Sequence, residues 1–297
     1  MRIGLIDVDS HNFPNLALMK LSAYHKACGD TVEWHWGFNH YDRVYMSKVF
    51  DETYSPDVLS PANAAEVVRG GTGYGLDNKL SAEIEQMYPD YSLYPELTEY
   101  TSYGFLSRGC PRHCGFCIVS EKEGRHSYKV SDLSAFHTSQ KNIKLLDPNI
   151  LACPEHMQLL EQLAESHAWV DFTQGLDIRL ITDSNIAVLN RIKTKQLHFA
   201  WDNPKEDLRP LFRHFQETTT IKLTRKKSVY VLTNFNSTHE EDLYRITVLR
   251  DMDFDPYVMI YNKPSAPKVT KQLARWCNNR RIFRIVHDFK DYMQNPA

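Results

Sequence analysis

Three cysteines lie close together in the chain, at Cys110, Cys114 and Cys117. Their spacing is C-x3-C-x2-C, and Phe116 stands immediately before the last cysteine. Three thiolates on one short loop can each bind one iron of a cubane cluster and leave the fourth iron open to another ligand. The spacing therefore indicates an iron–sulfur cluster with one open iron, which is a place for chemistry.

These cysteines have three alternative explanations. Zinc is usually held by four ligands, so a zinc site here needs a fourth ligand such as His113 or His126. A disulfide framework is not favoured, because the 297 residues contain six cysteines and carry no mark of export. Clustering of inert cysteines would leave the spacing unexplained. Cys28 and Cys277 stand alone on apolar helix faces, where we expect core residues.

The charge balance is that of an ordinary soluble protein. Charged residues make up 24% of the chain and the formal net charge is -2, which gives no bulk attraction to nucleic acid or to an anionic membrane. No apolar run is long enough to cross a bilayer. The first residues read as a strand and not as a signal peptide. We expect a cytoplasmic protein with free thiols and no membrane partner.

The first part of the chain alternates strand and helix patterns, which predicts a small parallel sheet of the Rossmann type. The predicted elements are a strand at Arg2–Val8, a helix from Pro14 to Gly29, strands at Thr31–Trp36 and Arg43–Phe50, and a short helix from Ser81 to Met87. Prolines and tyrosines then mark a connector. We therefore place the first domain at residues 1–98.

A longer β/α alternation fills the second predicted domain, residues 99–297. The predicted strands are Tyr103–Ser107, Ile143–Asp147, Val170–Gln174, Leu197–Asp202, Val229–Asn234 and Tyr257–Tyr261. Helical patterns lie between them, and a helix and an apolar strand, Ile282–Val286, follow. The predicted fold class is α/β: a small parallel sheet followed by a partial (βα)6 barrel of the TIM type.

The cysteine motif, its aromatic residue and the strand before it resemble the radical S-adenosylmethionine (radical SAM) superfamily. This resemblance implies a six-stranded partial barrel with the cluster loop after the first strand, a 4Fe-4S cluster and S-adenosylmethionine as cofactors. In the family, the reduced cluster cleaves S-adenosylmethionine to a 5′-deoxyadenosyl radical, which abstracts hydrogen from a substrate. An electron donor such as flavodoxin or ferredoxin is implied. The sequence specifies neither the substrate, small or macromolecular, nor the type of reaction.

The resemblance also suggests cofactor-binding residues at the carboxyl ends of the strands. Phe116 is similar to the aromatic residue that lies beside the adenine. Asp147 ends the second strand and Asn149 comes just after it, at the place where the family binds the methionine amine, often through a G-G-E stretch that this chain lacks. Gln174 follows the third strand. These four residues are predicted to contact the cofactor.

Two charged residues complete the predicted cofactor site. Arg179 follows the third strand and can grip the cofactor carboxylate with its guanidinium. Its alternative role is structural pairing with Asp177 or Asp183. Asp202 ends the fourth strand, where it can hold the ribose hydroxyls or simply form a turn.

Cys153 follows the second strand and is the one candidate for a catalytic side chain outside the cluster, as a hydrogen-atom donor or metal ligand. Its alternative is an ordinary small buried residue, which we favour. Two basic runs would suit a nucleic-acid substrate, but we favour solvated surface charge for both. They are Lys222, Arg225, Lys226 and Lys227, and Arg275, Arg280, Arg281 and Arg284.

The N-terminal region is similar to cobalamin-binding domains in Asp9 and His11, which match the start of a D-x-H-x-x-G signature, and in the later pair Gly70 and Gly71. Pro14 replaces the final glycine of the signature. The region is also short, roughly ninety residues where about a hundred or more is usual for a domain. We expect it not to retain cobalamin. A cobalamin-dependent radical SAM methyltransferase is the alternative, and a non-catalytic zinc module is the alternative of another class.

Overall fold

The computed structural model describes residues 1–294. The strands are β1 Arg2–Asp7, β2 Thr31–Trp34, β3 Tyr41–Ser47, β4 Ala64–Gly70, β5 Thr101–Gly104, β6 Ser107–Arg108, β7 Tyr128–Lys129, β8 Asn142–Leu145, β9 Trp169–Phe172, β10 Thr194–Ala200, β11 Lys227–Thr233 and β12 Asp255–Ile260. The helices are α1 Leu16–Ala27, α2 Ala82–Glu85, α3 Pro95–Thr98, α4 Val119–Lys122, α5 His156–Glu165, α6 Asp183–Leu189, α7 Arg209–Thr218, α8 His239–Asp251, α9 Lys268–Asn278, α10 Arg280–Ile285 and α11 Phe289–Gln294. The α/β fold class is confirmed.

Two compact units divide the chain. The first holds Met1–Gly104 and Ser131–Ile143, and the second holds Phe105–Val130 and the chain from Lys144 onward. The strands form a four-stranded sheet with the order β2-β1-β3-β4, a six-stranded sheet with the order β12-β11-β10-β9-β8-β5, and a β6-β7 ribbon.

The four-stranded sheet is parallel throughout, as predicted. Its core pairs Ile3 and Leu5 of β1 with Leu18 and Leu21 of α1, all of them buried. The side chain of Asn15 caps α1 by accepting a hydrogen bond from the amide of Leu18. The apolar side chains that alternate along β1 therefore pack against the apolar face of α1 in one layer.

The six-stranded sheet is open, with β12 and β5 at its edges, and β9 to β12 pair in parallel. One face of this sheet is apolar. Phe199 of β10 lies fully buried and packs edge-to-face on Phe212 and Phe215 of α7. The residues that alternate with these along the strands, such as Asp171 and His198, point to the other face. The helices thus cover one face and leave the other polar.

Two predicted elements and one predicted core residue differ from the structure. The predicted tail strand Ile282–Val286 is a helix, α10, because the side chain of Asn279 caps it by accepting from the amides of Arg281 and Ile282. The helix buries Phe283 against Trp276, at 4.8 Å between ring centroids, and leaves Ile285 exposed.

Helix ends account for the other two differences. Cys28 was predicted to be a core residue, but α1 ends at Ala27 and Cys28, at the C-cap, is exposed. The helix that begins after Ser81 ends at Glu85 and not at Met87. Cys277 is 1% exposed and lies in the core, as predicted.

Candidate functional site

The three cysteines lie on a loop that is closed at its base by the β6-β7 ribbon. In the ribbon, Ser107 pairs with Lys129 and Arg108 pairs with Tyr128. Gly109 follows β6 with a φ of 77°, and a Cβ there would lie 2.1 Å from the carbonyl oxygen of His126. Only glycine fits this position without displacing the opposite backbone. The ribbon therefore fixes where the cysteine loop begins and ends.

The cysteine thiols differ in their exposure. Cys110 and Cys114 are half-buried, and Cys117 is exposed as a residue. Burial raises the pKa of Cys114 to about 11, and the negative charge of Asp202 acts in the same direction. Burial likewise raises the pKa of Cys117. The Cys114 thiol therefore holds its proton at neutral pH, and binding of a metal centre there has to release it.

Across residues 1–294, no three His, Cys, Asp or Glu side chains gather around one point as the ligands of a single metal ion do. A tetrahedral zinc site requires such convergence. A cubane cluster does not, because each thiolate binds a different iron. Cluster binding by Cys110, Cys114 and Cys117 therefore stays a prediction from their spacing.

The turn after β8 holds the start of the cysteine loop. The carboxylate of Asp147 accepts hydrogen bonds from the amides of Leu106 and Ser107 and from the hydroxyl of Ser107. Asp147 is 3% exposed, and its burial raises its pKa to about 7 although these donors act in the opposite direction. Its oxygens are thus occupied by the chain itself. This structural role competes with the predicted role of Asp147 in binding the cofactor amine.

Asn149, two residues further on, reaches the first cysteine. Its side-chain amide nitrogen lies 3.6 Å from the Sγ of Cys110 and donates to it. Its Oδ1 is buried and makes no hydrogen bond within the described part of the chain. Its backbone carbonyl accepts from the hydroxyl of Ser127, on the far side of the loop. A buried oxygen without a partner beside the loop is a fitting acceptor for a ligand.

Arg179 forms an ion pair with Asp177, one of the two structural partners suggested from the sequence. Its guanidinium lies 2.9 Å from Asp177 and 2.8 Å from Glu206. Asp177 also accepts from Arg112 of the cysteine loop at 2.7 Å. Although burial opposes it, the hydrogen bonds from Arg112 and Arg179 lower the pKa of Asp177. Asp183, the other suggested partner of Arg179, pairs instead with His214.

Of the other predicted residues, Phe116 lies on the cysteine loop itself and Asp202 lies near it. Phe116 contacts Phe235, which follows β11, at 5.5 Å between ring centroids. Asp202 is close enough to influence the pKa of Cys114, and burial raises its own pKa to about 6. Gln174 is exposed and makes no hydrogen bond to the loop in the described residues. Gln174 therefore does not join the residues around the cysteine loop.

Cys153 is buried to 1% exposure, and its thiol donates to a carboxylate oxygen of Glu155 at 3.2 Å. Burial raises its pKa to about 11, so the thiol is protonated at neutral pH. Among the basic runs, Lys227 is fully buried and bonds to the side chain of Gln216. Its burial corrects the interpretation of that lysine as solvated surface charge.

A group on the polar face of the six-stranded sheet was missed by the sequence analysis. His198 of β10 stacks on Tyr230 of β11 at 4.9 Å, and its Nδ1 lies 3.2 Å from the carbonyl oxygen of Phe172. Because a carbonyl only accepts, Nδ1 carries the proton and Nε2 keeps its lone pair. Asp171 lies 3.8 Å from the same nitrogen and has a buried oxygen without a hydrogen bond. The alternation of polar and apolar residues along β9 and β10 was the sequence pattern that could have indicated this group.

The cobalamin-like residues make contacts of their own within the chain. Asp9 is 4% exposed, and its two carboxylate oxygens accept from the amides of Val49 and Phe50 at 2.8 Å each. His11 is exposed. A Cβ at Gly71 would lie 2.3 Å from the carbonyl oxygen of Lys48, so the chain's own backbone explains this glycine. The carboxylate that would orient a ligating histidine is already occupied.

Comparisons with known proteins give a likeness in fold. No protein-family model matches the chain, and no curated protein sequence matches it. The structure is similar to that of a radical SAM methyltransferase, TsrM from Kitasatospora setae, solved with cobalamin and a [4Fe-4S] cluster bound. The TM-score is 0.60 and the identity is 11%, over 87% of this chain and 74% of that one. At this identity the likeness shows a shared fold.

Within residues 1–294, no helix is both long and apolar enough to span a membrane.

Proposed function

We propose that the protein is a radical SAM enzyme that binds a 4Fe-4S cluster through Cys110, Cys114 and Cys117 and cleaves S-adenosylmethionine. The observation that carries this proposal is the three-cysteine loop, held at its base by the β6-β7 ribbon and tied to the turn after β8 of an open α/β sheet. The fold likeness to a radical SAM methyltransferase supports it. When bound, the cluster supplies the electron for reductive cleavage of the cofactor.

The residues around the loop have distinct roles in this proposal. With the cofactor bound, the unpaired Oδ1 of Asn149 would accept from the methionine amine, Phe116 would contact the adenine, and Asp202 would accept from the ribose hydroxyls. Arg179 acts mainly by positioning, because Asp177 and Glu206 occupy its guanidinium. A cofactor carboxylate would have to replace Glu206 there. Through Asp177 and Arg112, this pairing also holds the cysteine loop against the turn that follows β9.

The polar face of the six-stranded sheet is the proposed substrate side. Burial lowers the pKa of His198, which favours the neutral ring, and the Nε2 of the neutral ring can accept a hydrogen bond. The stacked ring of Tyr230, whose hydroxyl donates to the carbonyl of Thr173, holds the imidazole in place. This face therefore suits a substrate that donates hydrogen bonds.

Reductive cleavage is the direct test. We expect protein reconstituted with iron and sulfide without oxygen to form 5′-deoxyadenosine slowly when S-adenosylmethionine and dithionite are added, even without substrate. Chromatography of the quenched mixture measures the product, and iron and sulfide analysis measures the cluster. A protein that takes up zinc but no sulfide, and forms no 5′-deoxyadenosine, would support the non-catalytic zinc module instead.

A cobalamin-dependent methyltransferase is the second candidate, favoured by the cobalamin in the structure of similar fold. Since Asp9 is occupied and Pro14 removes an amide donor, we expect the washed protein not to retain hydroxocobalamin. Absorption spectra after anaerobic titration and gel filtration measure this. Stoichiometric retention that His11→Ala abolishes would contradict the prediction and favour methyl transfer.

A further inference from the structure

We propose that Asn149 raises the reduction potential of the cluster by donating a hydrogen bond from its side-chain amide to the Sγ of Cys110. This inference rests on the proposed function, because it requires the cluster on the three cysteines. It gives Asn149 a second role that the sequence did not suggest, since the resemblance assigned only its oxygen, to the cofactor amine.

The position of Asn149 is fixed from three sides. It follows Asp147, whose carboxylate holds the amides of Leu106 and Ser107 just before the cysteine loop. Its own carbonyl accepts from the hydroxyl of Ser127, just before β7. Its backbone enters a 3-10 turn at Ile150–Ala152. The side chain has little freedom to leave Cys110, because the residue is 3% exposed.

The contact has the geometry of a hydrogen bond to sulfur. The amide nitrogen lies 3.6 Å from the Sγ of Cys110, and an amide nitrogen can only donate. An N–H group directed at a thiolate ligand withdraws negative charge from it. This stabilises the reduced cluster, which carries the additional electron, and so makes the potential less negative. Burial strengthens the effect because the local dielectric is low.

The experiment compares reconstituted wild-type protein with Asn149→Ala and Asn149→Asp. Anaerobic redox titration, followed by the electron paramagnetic resonance signal of the reduced cluster, gives the midpoint potential. We expect Asn149→Ala to shift the potential to a more negative value, because the donor is lost. We expect a larger negative shift for Asn149→Asp, because a carboxylate of the same shape places an acceptor beside the thiolate.

A matched control is Asn203→Ala. Asn203 is exposed in the turn after β10, and its side chain accepts from the amide of Lys205. We expect the midpoint potential of the cluster in Asn203→Ala to equal that in the wild-type protein. Asn149→Asp keeps the side-chain volume, so it provides a cluster-bearing protein if Asn149→Ala does not assemble one.

The outcomes separate the inference from the function on which it rests. Wild-type protein that binds iron and sulfide and cleaves S-adenosylmethionine, together with an Asn149→Asp variant of unchanged potential, would overturn the role of Asn149 alone. Wild-type protein that assembles no cluster would overturn the proposed function itself. Negative shifts in the Asn149 variants, with none in Asn203→Ala, establish the hydrogen bond as the cause.

Discussion

Replacement of Cys110, Cys114 or Cys117 by alanine is expected to abolish stable binding of the 4Fe-4S cluster. Each thiolate holds a different iron, so the loss of one leaves a corner of the cluster open to solvent. Loss of an outer-shell partner alone typically weakens metal binding by roughly ten- to a hundred-fold, and loss of a ligand should cost at least as much. Iron content and visible absorption after anaerobic reconstitution measure the effect.

Cys28→Ala is the matched control for these variants. Cys28 is an exposed cysteine at the end of α1, so its removal should leave the iron content unchanged. Full iron in all three loop variants would refute the assignment of the ligands. Iron loss in Cys28→Ala would indicate that adventitious thiols bind the metal.

The cysteine loop and the order of the strands were accessible from the sequence for physical reasons. The spacing of ligands on one short loop is a local property, and so is the alternation of apolar residues along a buried strand. Leu197 and Phe199, for example, are both fully buried beneath helices. The sequence pattern records this burial directly because each side of a strand meets one environment.

The partners of the charged residues were less accessible. Arg179 and Asp177 are two residues apart, and their pairing could be suggested as an alternative. Glu206 and Arg112 lie far from Arg179 in sequence, and only the arrangement of the turns brings all four side chains together. Such contacts depend on the exact registers of neighbouring strands, which periodicity does not determine.

The hydrogen-bond partners of Asp147 were likewise not predictable from the sequence. The sequence placed it at the end of a strand, where the family resemblance implied a role in cofactor binding. The structure gives its carboxylate three donors from the residues that precede the cysteine loop. The chain's own amides compete for the same oxygens, and no sequence pattern indicates a pairing over such a separation.

Asp147→Ala is accordingly expected to destabilise the fold strongly, because the buried amides of Leu106 and Ser107 would lose their acceptor. Each unpaired buried group costs about 1–3 kcal/mol, so the total loss should be several kcal/mol. Urea unfolding of the metal-free protein measures the free energy of unfolding. Asp77→Ala is the control, since Asp77 is exposed and such substitutions usually change stability by no more than about 0.5 kcal/mol.

The effect of Asp147 should also depend on pH. Burial raises its pKa in the folded protein to about 7, above that of an aspartate in the unfolded chain, so folding favours the protonated form. The resulting stabilisation is fully present below the unfolded pKa and is lost as the pH rises through the folded value. The pKa of an aspartate in the unfolded chain is ~3.9. The free energy of unfolding of wild-type protein should therefore exceed that of Asp147→Ala by more near pH 5 than near pH 8. An equal difference at both pH values would show that Asp147 is ionised in the fold throughout, held so by the amides of Leu106 and Ser107.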